Sequence, residues 1–120
     1  GATLNIAPGT TVYFHGDAVE VVFCNNDAMA LGALQAIETA GRKVGEDILL
    51  LGVDALTEAL QNVQDGKMTG TVFNDHIGQS HAAAEIAGKM AAGESVETVN
   101  MVDYIKVTKD NAADILALLQ

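Results

Sequence analysis

The sequence has 120 residues, 16 Asp and Glu against 6 Lys and Arg, a formal charge of −10 and a single cysteine. This length fits one domain. The acidic balance argues against a nucleic-acid partner and against an anionic membrane surface, since both need clustered Lys and Arg. One cysteine excludes an internal disulfide and a cysteine metal cage. No apolar run is long enough to span a bilayer, and Gly1–Leu4 does not open a signal peptide.

The first 18 residues do not follow the pattern of the rest. Pro8–Thr11 predicts a turn, and Thr11–Phe14 a short strand that His15–Asp17 interrupts. We interpret residues 1–18 as an irregular lead-in from upstream sequence or as a segment introduced by cloning. Residues 19–120 then form the globular part.

Short β-rich runs alternate with Ala-rich helical stretches from residue 19 onward. The run at 48–53 is apolar throughout and the run at 19–24 is apolar apart from Glu20, which is typical of buried strands. Predicted strands cover 19–24, 48–53, 69–73 and 102–107, and predicted helices 27–40, 57–64, 76–92 and 111–119. This order predicts a three-layer α/β fold, with a mostly parallel sheet and helices on both of its faces.

Asn and Asp residues follow the first three predicted strands. Asn25, Asn26 and Asp27 end the first strand, Asp54 the second, and Asn74 and Asp75 the third. Ligands of open parallel sheets bind beyond the carboxyl ends of the strands, so these residues should share one rim. Amides donate and accept hydrogen bonds, and a carboxylate can accept from two hydroxyls. Such a rim suits a polyol such as a sugar.

Helix capping is the alternative explanation for the same residues, because Asn and Asp are favoured N-caps. We expect Asn26 or Asp27 to cap the first helix and Asp75 to cap the third. Asp54 differs, because Thr57 is available as a better cap for the helix that follows it. Asp54 therefore has more freedom to act on a ligand.

Other chemistry has little support in the sequence. His76 and His81 are five residues apart, which does not match the four-residue spacing of a zinc-binding helix. Cys24, at the end of a predicted buried strand, is best explained as a small core residue. There is no nucleophile elbow and no glycine-rich phosphate loop. An enzymatic function is therefore not expected.

Three segments and a closing stretch resemble the type I periplasmic binding proteins, with galactose- and glucose-binding members the nearest match. The resemblance runs over roughly Val19–Leu119. Its motifs are Asn25-Asn26-Asp27-Ala28-Met29-Ala30-Leu31-Gly32-Ala33, Gly52-Val53-Asp54-Ala55-Leu56, Gly70-Thr71-Val72-Phe73-Asn74-Asp75 and Tyr104-Ile105-Lys106-Val107-Thr108-Lys109-Asp110-Asn111.

The resemblance implies a fold, a function and a set of site residues. The fold is one lobe of a two-lobed receptor, and the function is non-catalytic capture of a galactose- or glucose-type monosaccharide for an ABC importer or a chemoreceptor. Asn26, Asp54 and Asn74 match residues that hydrogen-bond the sugar. Glu20 matches a calcium ligand of the galactose binder, but the rest of that calcium loop is missing, so we expect no cofactor. The implied location is the periplasm, or the bacterial cell exterior with a lipoprotein anchor.

Much of the implied receptor is absent from this sequence. The resemblance places residues 76–107 against the other lobe, which the chain lacks. The helix there should then pack on its own sheet or on another chain, and Ile77, Ile86 and Met90 would expose an apolar stripe on it. We therefore expect a homodimer or segment exchange through 76–107. The alternative function is the effector domain of a sugar-responsive repressor, since the first motif is shared with that class.

Overall fold

A computed structural model describes residues 18–120, so the predicted turn and strand between Pro8 and Phe14 lie outside the described residues. Strands and helices alternate through this range as predicted. They are β1 (Val21–Phe23), α1 (Asp27–Thr39), β2 (Leu49–Leu51), α2 (Thr57–Gln64), β3 (Thr71–Phe73), α3 (His76–Ala91), β4 (Ile105–Val107) and α4 (Ala112–Leu118). The α/β fold class is confirmed.

The strands lie side by side in the order of the sequence. β1 and β2 pair in parallel, with Phe23 opposite Leu51, and a parallel bridge from Leu51 to Gly70 continues the pairing to β3. β4 joins β3 antiparallel, with Thr71 opposite Val107. The reversal follows the long segment that contains α3 and separates β3 from β4.

One face of these strands carries the core. Both α1 and α2 contribute buried side chains to one hydrophobic cluster, as expected when successive crossovers have the same hand and direction. α4 contributes to the same core. The largest fully buried side chains are Phe73, Ile37, Ile48, Leu50, Leu60, Met68, Val63, Val107 and Asp27.

The opposite face of β1 and β2 is open, which corrects the prediction that both strands are fully buried. Val21, Phe23 and Leu49 are 50%, 64% and 42% exposed, whereas Leu50 is fully buried. The apolar runs predict a sheet that is covered on both faces. Within residues 18–120, however, the helices of the core cover only one of them.

Helix α3 forms as predicted, but it buries no residue against the rest of the described chain. The Asp75 side chain caps its first turn, and Gly93, at φ 76°, takes the left-handed conformation that ends it. None of its residues is buried, and Met90 is 62% exposed. Of the two outcomes foreseen for 76–107, β4 packs on the chain's own sheet whereas α3 does not.

Arg42 is a buried cation, not predicted from the sequence, that bonds the segment before β1 to the loop before β2. Its buried guanidinium donates to the backbone oxygens of Val19 (2.6 Å) and Asp47 (2.5 Å) and lies 3.7 Å from the Asp47 carboxylate. A cation so deeply buried is rare unless it is paired. These contacts explain how the chain accommodates it.

We expect Arg42→Met to lower the free energy of unfolding by about 1–3 kcal/mol, because two carbonyls lose charged donors. Lys43→Met is the matched control: the Lys43–Glu46 pair is exposed, so its loss should cost less than about 1 kcal/mol. Urea unfolding measures both variants. Equal urea midpoints for wild type and Arg42→Met would show that the Arg42 contacts do not stabilise the fold.

Candidate functional site

The ends of β1, β2 and β3 lie next to one another at one edge of the sheet. Backbone hydrogen bonds join them beyond the regular strands: Asp27 N–H donates to the Val53 oxygen (2.7 Å), and Asp54 N–H donates to the Val72 oxygen (2.8 Å). The turns that carry Asn26, Asp54 and Asn74 are therefore adjacent, as the rule for parallel sheets predicts. That any of the three binds a ligand stays a prediction.

Asn26 caps helix α1, one of the two residues expected to do so. Its backbone is extended, and its Oδ1 accepts a hydrogen bond from Met29 N–H at 2.9 Å. Capping uses the carbonyl half of the amide only. The half-buried side chain still has an NH₂ group that can donate to a ligand.

Asp54 does not cap α2, and its carboxylate is exposed. The predicted Thr57 cap is wrong: Thr57 is the first residue of the helix, and the cap position belongs to Leu56, whose side chain makes no capping bond. Asp54 and the buried Ala55 have φ of 110° and 57°, a conformation that non-glycine residues rarely adopt. Such outliers persist only where surrounding contacts hold them, and they concentrate at functional sites.

Asp75 caps the helix after β3, whereas Asn74 stays at the rim without a capping role. Asp75 caps α3, as predicted, with Oδ1 accepting from Gly78 N–H at 2.8 Å. Asn74 does not cap the helix; its Oδ1 accepts from Gln79 Nε2 at 2.6 Å. That bond orients the half-buried Asn74 amide at the rim, beside the turn that carries Asp54.

Asp27 has a role that the sequence does not reveal, because it neither caps α1 nor lies exposed on the rim. It is the first residue of α1 and is fully buried. Its Oδ1 accepts from the Thr71 hydroxyl at 2.6 Å, and its Oδ2 accepts from Leu56 N–H at 2.8 Å. Burial raises the pKa of Asp27; the Thr71 and Leu56 hydrogen bonds oppose the shift, and the nearby Asp54 charge adds to it.

The raised pKa of Asp27 makes part of the stability depend on pH. The folded state binds the Asp27 proton more tightly than the unfolded state, so the contribution is complete below the unfolded pKa of about 3.9 and is lost as pH rises through the folded pKa. As pH rises through this range, wild type should lose stability relative to Asp27→Asn. Urea unfolding at several pH values between about 4 and 7 measures it.

Asp65→Asn serves as the control, because Asp65 is exposed at the carboxyl end of α2. Its difference from wild type should not follow the same course. Asp54, whose charge acts on Asp27, is present in wild type and in both variants. The pKa of Cys24 is raised by burial and by the Asp27 charge, so the thiol stays protonated in this pH range. Parallel profiles for wild type and Asp27→Asn would contradict the prediction.

The remaining candidates lie away from this rim or form no site. Cys24 is buried in the core, as predicted, and His76 and His81 are exposed on α3. Glu20 is exposed, and nowhere in residues 18–120 do three His, Cys, Asp or Glu side chains come together to hold a metal ion. The described residues around Glu20 therefore do not fit a calcium site.

None of the helices between residues 18 and 120 combines the length and apolar character that crossing a membrane requires.

Comparisons with known proteins give this rim a family context. The periplasmic binding protein domain family matches residues 10–95. The D-galactose/methyl-galactoside binding periplasmic protein of Haemophilus influenzae is 39% identical over 107 residues, covering 82% of this chain and 31% of that protein. The ribose import binding protein of Escherichia coli is 39% identical over 93 residues, covering 76% of this chain and 30% of that protein.

Solved structures agree with this assignment. An ABC transporter periplasmic solute binding protein from Actinobacillus succinogenes with bound D-allose superposes with a TM-score of 0.71 at 32% identity, covering 79% of this chain and 33% of that one. A solute binding protein from Bacillus halodurans with bound myo-inositol gives 0.70 at 39% identity, covering 82% and 33%.

The chain spans about a third of the length of the curated relatives it matches. The match nevertheless covers most of the chain, and the fold and the adjacent strand ends agree with it. The chain belongs to the periplasmic binding protein family, type I.

Proposed function

We propose that this chain supplies one wall of a monosaccharide-binding site, formed by Asn26, Asp54 and Asn74. The observation that supports it is the backbone bonding that sets the three strand ends side by side, with two amides and an exposed carboxylate on adjacent turns. The action is reversible, non-covalent capture, and no bond is made or broken.

The chemistry of these side chains suits a neutral polyhydroxyl ligand. Amide groups donate to and accept from sugar hydroxyls, and the Asp54 carboxylate accepts from two hydroxyls together. None of the three groups is cationic, and the chain carries a net charge of −10, so an anionic sugar derivative should be disfavoured.

For the ligand, we favour a sugar of the galactose or glucose type, on the strength of the Gly-Val-Asp-Ala and Thr-Val-Phe-Asn-Asp segments at 52–55 and 71–75. Relatives are named for galactose, ribose and allose, and solved neighbours hold D-allose and myo-inositol. The polyol class is therefore common to the group, and the particular sugar is part of the proposal.

The proposed setting is that of a solute receptor. The complete protein would deliver the sugar to a membrane ABC permease or a chemoreceptor, in the periplasm or outside the cell with a lipoprotein anchor. No cofactor is proposed for this part of it. The repressor alternative gains no support from the relatives named above.

Ligand-observed NMR with D-galactose, D-glucose, D-ribose, D-allose and myo-inositol tests the proposal. We expect weak, saturable binding of at least one of them, because enclosing a sugar requires both walls of a cleft. Glucose 6-phosphate is the control and should bind less than glucose. No saturable binding of any neutral sugar, or stronger binding of the phosphate, would contradict the proposal.

We also propose that the chain, taken alone, pairs with a second copy or exchanges segments through 76–107. In support, α3 has no buried residue, and Val99, Met101 and Tyr104 are 71%, 80% and 62% exposed. Large apolar side chains exposed together favour a partner surface. Sedimentation equilibrium should detect a species of twice 12.4 kDa. A monomer at all concentrations up to the solubility limit would contradict the proposal.

A further inference from the structure

One buried residue beside Asn26, Asp27, bonds both to the turn after β2 and to the first residue of β3. Asp27 follows Asn26 directly, donates its N–H to the Val53 oxygen at 2.7 Å, and accepts hydrogen bonds from Leu56 and Thr71. It thus contacts the segment on each side of Asp54, and it reaches β3 three residues before Asn74.

Asp27 is placed to hold the unusual backbone at Asp54. Two residues with positive φ, Asp54 and Ala55, lie between the Val53 oxygen and the Leu56 N–H, and Asp27 bonds both of these groups. Such a conformation is costly for non-glycine residues and needs external contacts to persist. The two bonds fix the ends of the turn and so the direction in which the Asp54 carboxylate points.

Gly52 provides the space for this arrangement. A Cβ at position 52 would collide with Oδ1 of Asp27 and press on Ala30. Because Thr71 and Leu56 fix the two carboxylate oxygens, Asp27 has little freedom to move aside. The glycine therefore permits close packing of the carboxylate against β2, at a position where φ itself does not demand glycine.

We propose that Asp27 is the positioning residue of the sugar site, which it serves by fixing the Asp54 turn against Asn26 and β3. This inference rests on the proposed function. Asp27 is fully buried and both of its oxygens are occupied, so it acts through Asp54 and does not contact the ligand.

Variants of its partner Thr71 test the proposal with less risk to folding. Thr71→Val removes the hydroxyl at nearly constant shape, and Thr71→Ser restores it. Thr69→Val is the matched control, because the Thr69 hydroxyl also bonds between strands, accepting from Leu50 N–H at 3.0 Å, but lies two residues before Thr71 and does not bond Asp27. Asp27→Asn gives a second, direct perturbation.

Three measurements are made on each variant: affinity for D-galactose, hydrogen exchange of the Leu56 amide, and the three-bond HN–Hα coupling of Asp54, which reports its φ. Thr71→Val and Asp27→Asn should bind about three- to tenfold more weakly, as the loss of one net hydrogen bond predicts. They should also show faster exchange at Leu56 and a changed coupling at Asp54. Thr71→Ser should recover all three values, and Thr69→Val should lower stability alone.

The outcomes separate the two proposals. If wild type binds no sugar, the proposed function fails, while the Leu56 exchange and the Asp54 coupling still decide whether Asp27 holds the turn. Unchanged Leu56 and Asp54 signals in both Thr71→Val and Asp27→Asn would overturn the positioning role. The same effects in Thr69→Val would also overturn it, because they would then reflect general loss of stability.

Discussion

Replacing Phe73 by alanine should lower the free energy of unfolding by about 3–5 kcal/mol, the range for large-to-small changes of buried aromatic residues. Phe73 is fully buried on the core face of β3, and its ring meets His76 edge-on with the centroids 5.7 Å apart. Domains of this kind are stable by only about 5–15 kcal/mol in total. Urea unfolding followed by circular dichroism measures the loss.

Phe23→Ala is the matched control for Phe73→Ala. Phe23 lies on β1 and is 64% exposed on the open face, so its truncation should change stability by less than about 0.5 kcal/mol. A small effect at Phe73 would contradict the assignment of the core face. A loss at Phe23 as large as that at Phe73 would show that the open face is covered in solution, as association of two chains through it would require.

Asp54→Asn should weaken sugar binding by about tenfold or more while leaving the fold intact. A hydrogen bond to a charged group contributes more than a neutral one, and about 1.4 kcal/mol corresponds to a tenfold change in affinity. Asparagine tolerates positive φ, so the turn at 110° can persist. Titration by NMR measures affinity, and urea unfolding checks the stability of the same sample.

Asp65→Asn makes the same chemical change at an exposed carboxylate away from the rim and should leave affinity unchanged. The comparison isolates position from charge, because both variants raise the net charge from −10 to −9. Equal affinity losses in the two variants would assign the effect to overall charge and remove Asp54 from the site.

The sequence predicted the order of elements and the rim because both follow from local patterns. Apolar runs fixed the positions of the strands to within a few residues, and the exits at Asn26, Asp54 and Asn74 followed from the parallel order. Capping by Asn26 and Asp75 was predictable for the same reason, since it depends only on neighbouring residues.

The features that the sequence did not reveal depend on contacts between distant parts of the chain. Arg42 bonds Val19, 23 residues away, and Asp27 bonds Thr71, 44 residues away, and neither pair has a local signature. The open face of β1 was likewise not predictable, because an apolar strand has the same pattern whether or not a second layer covers it. The antiparallel pairing of β4 with β3 likewise has no local signature in the sequence.

The central claim is that the turns after β1, β2 and β3 form the ligand-binding surface. Backbone amide chemical shifts recorded during titration with D-galactose test it most directly. We predict saturable shifts confined to the neighbourhoods of Asn26, Asp54 and Asn74, with Arg42 and Asp65 unaffected at the other end of the sheet. Saturable shifts around Arg42 and Asp65, with none at the three turns, would contradict it.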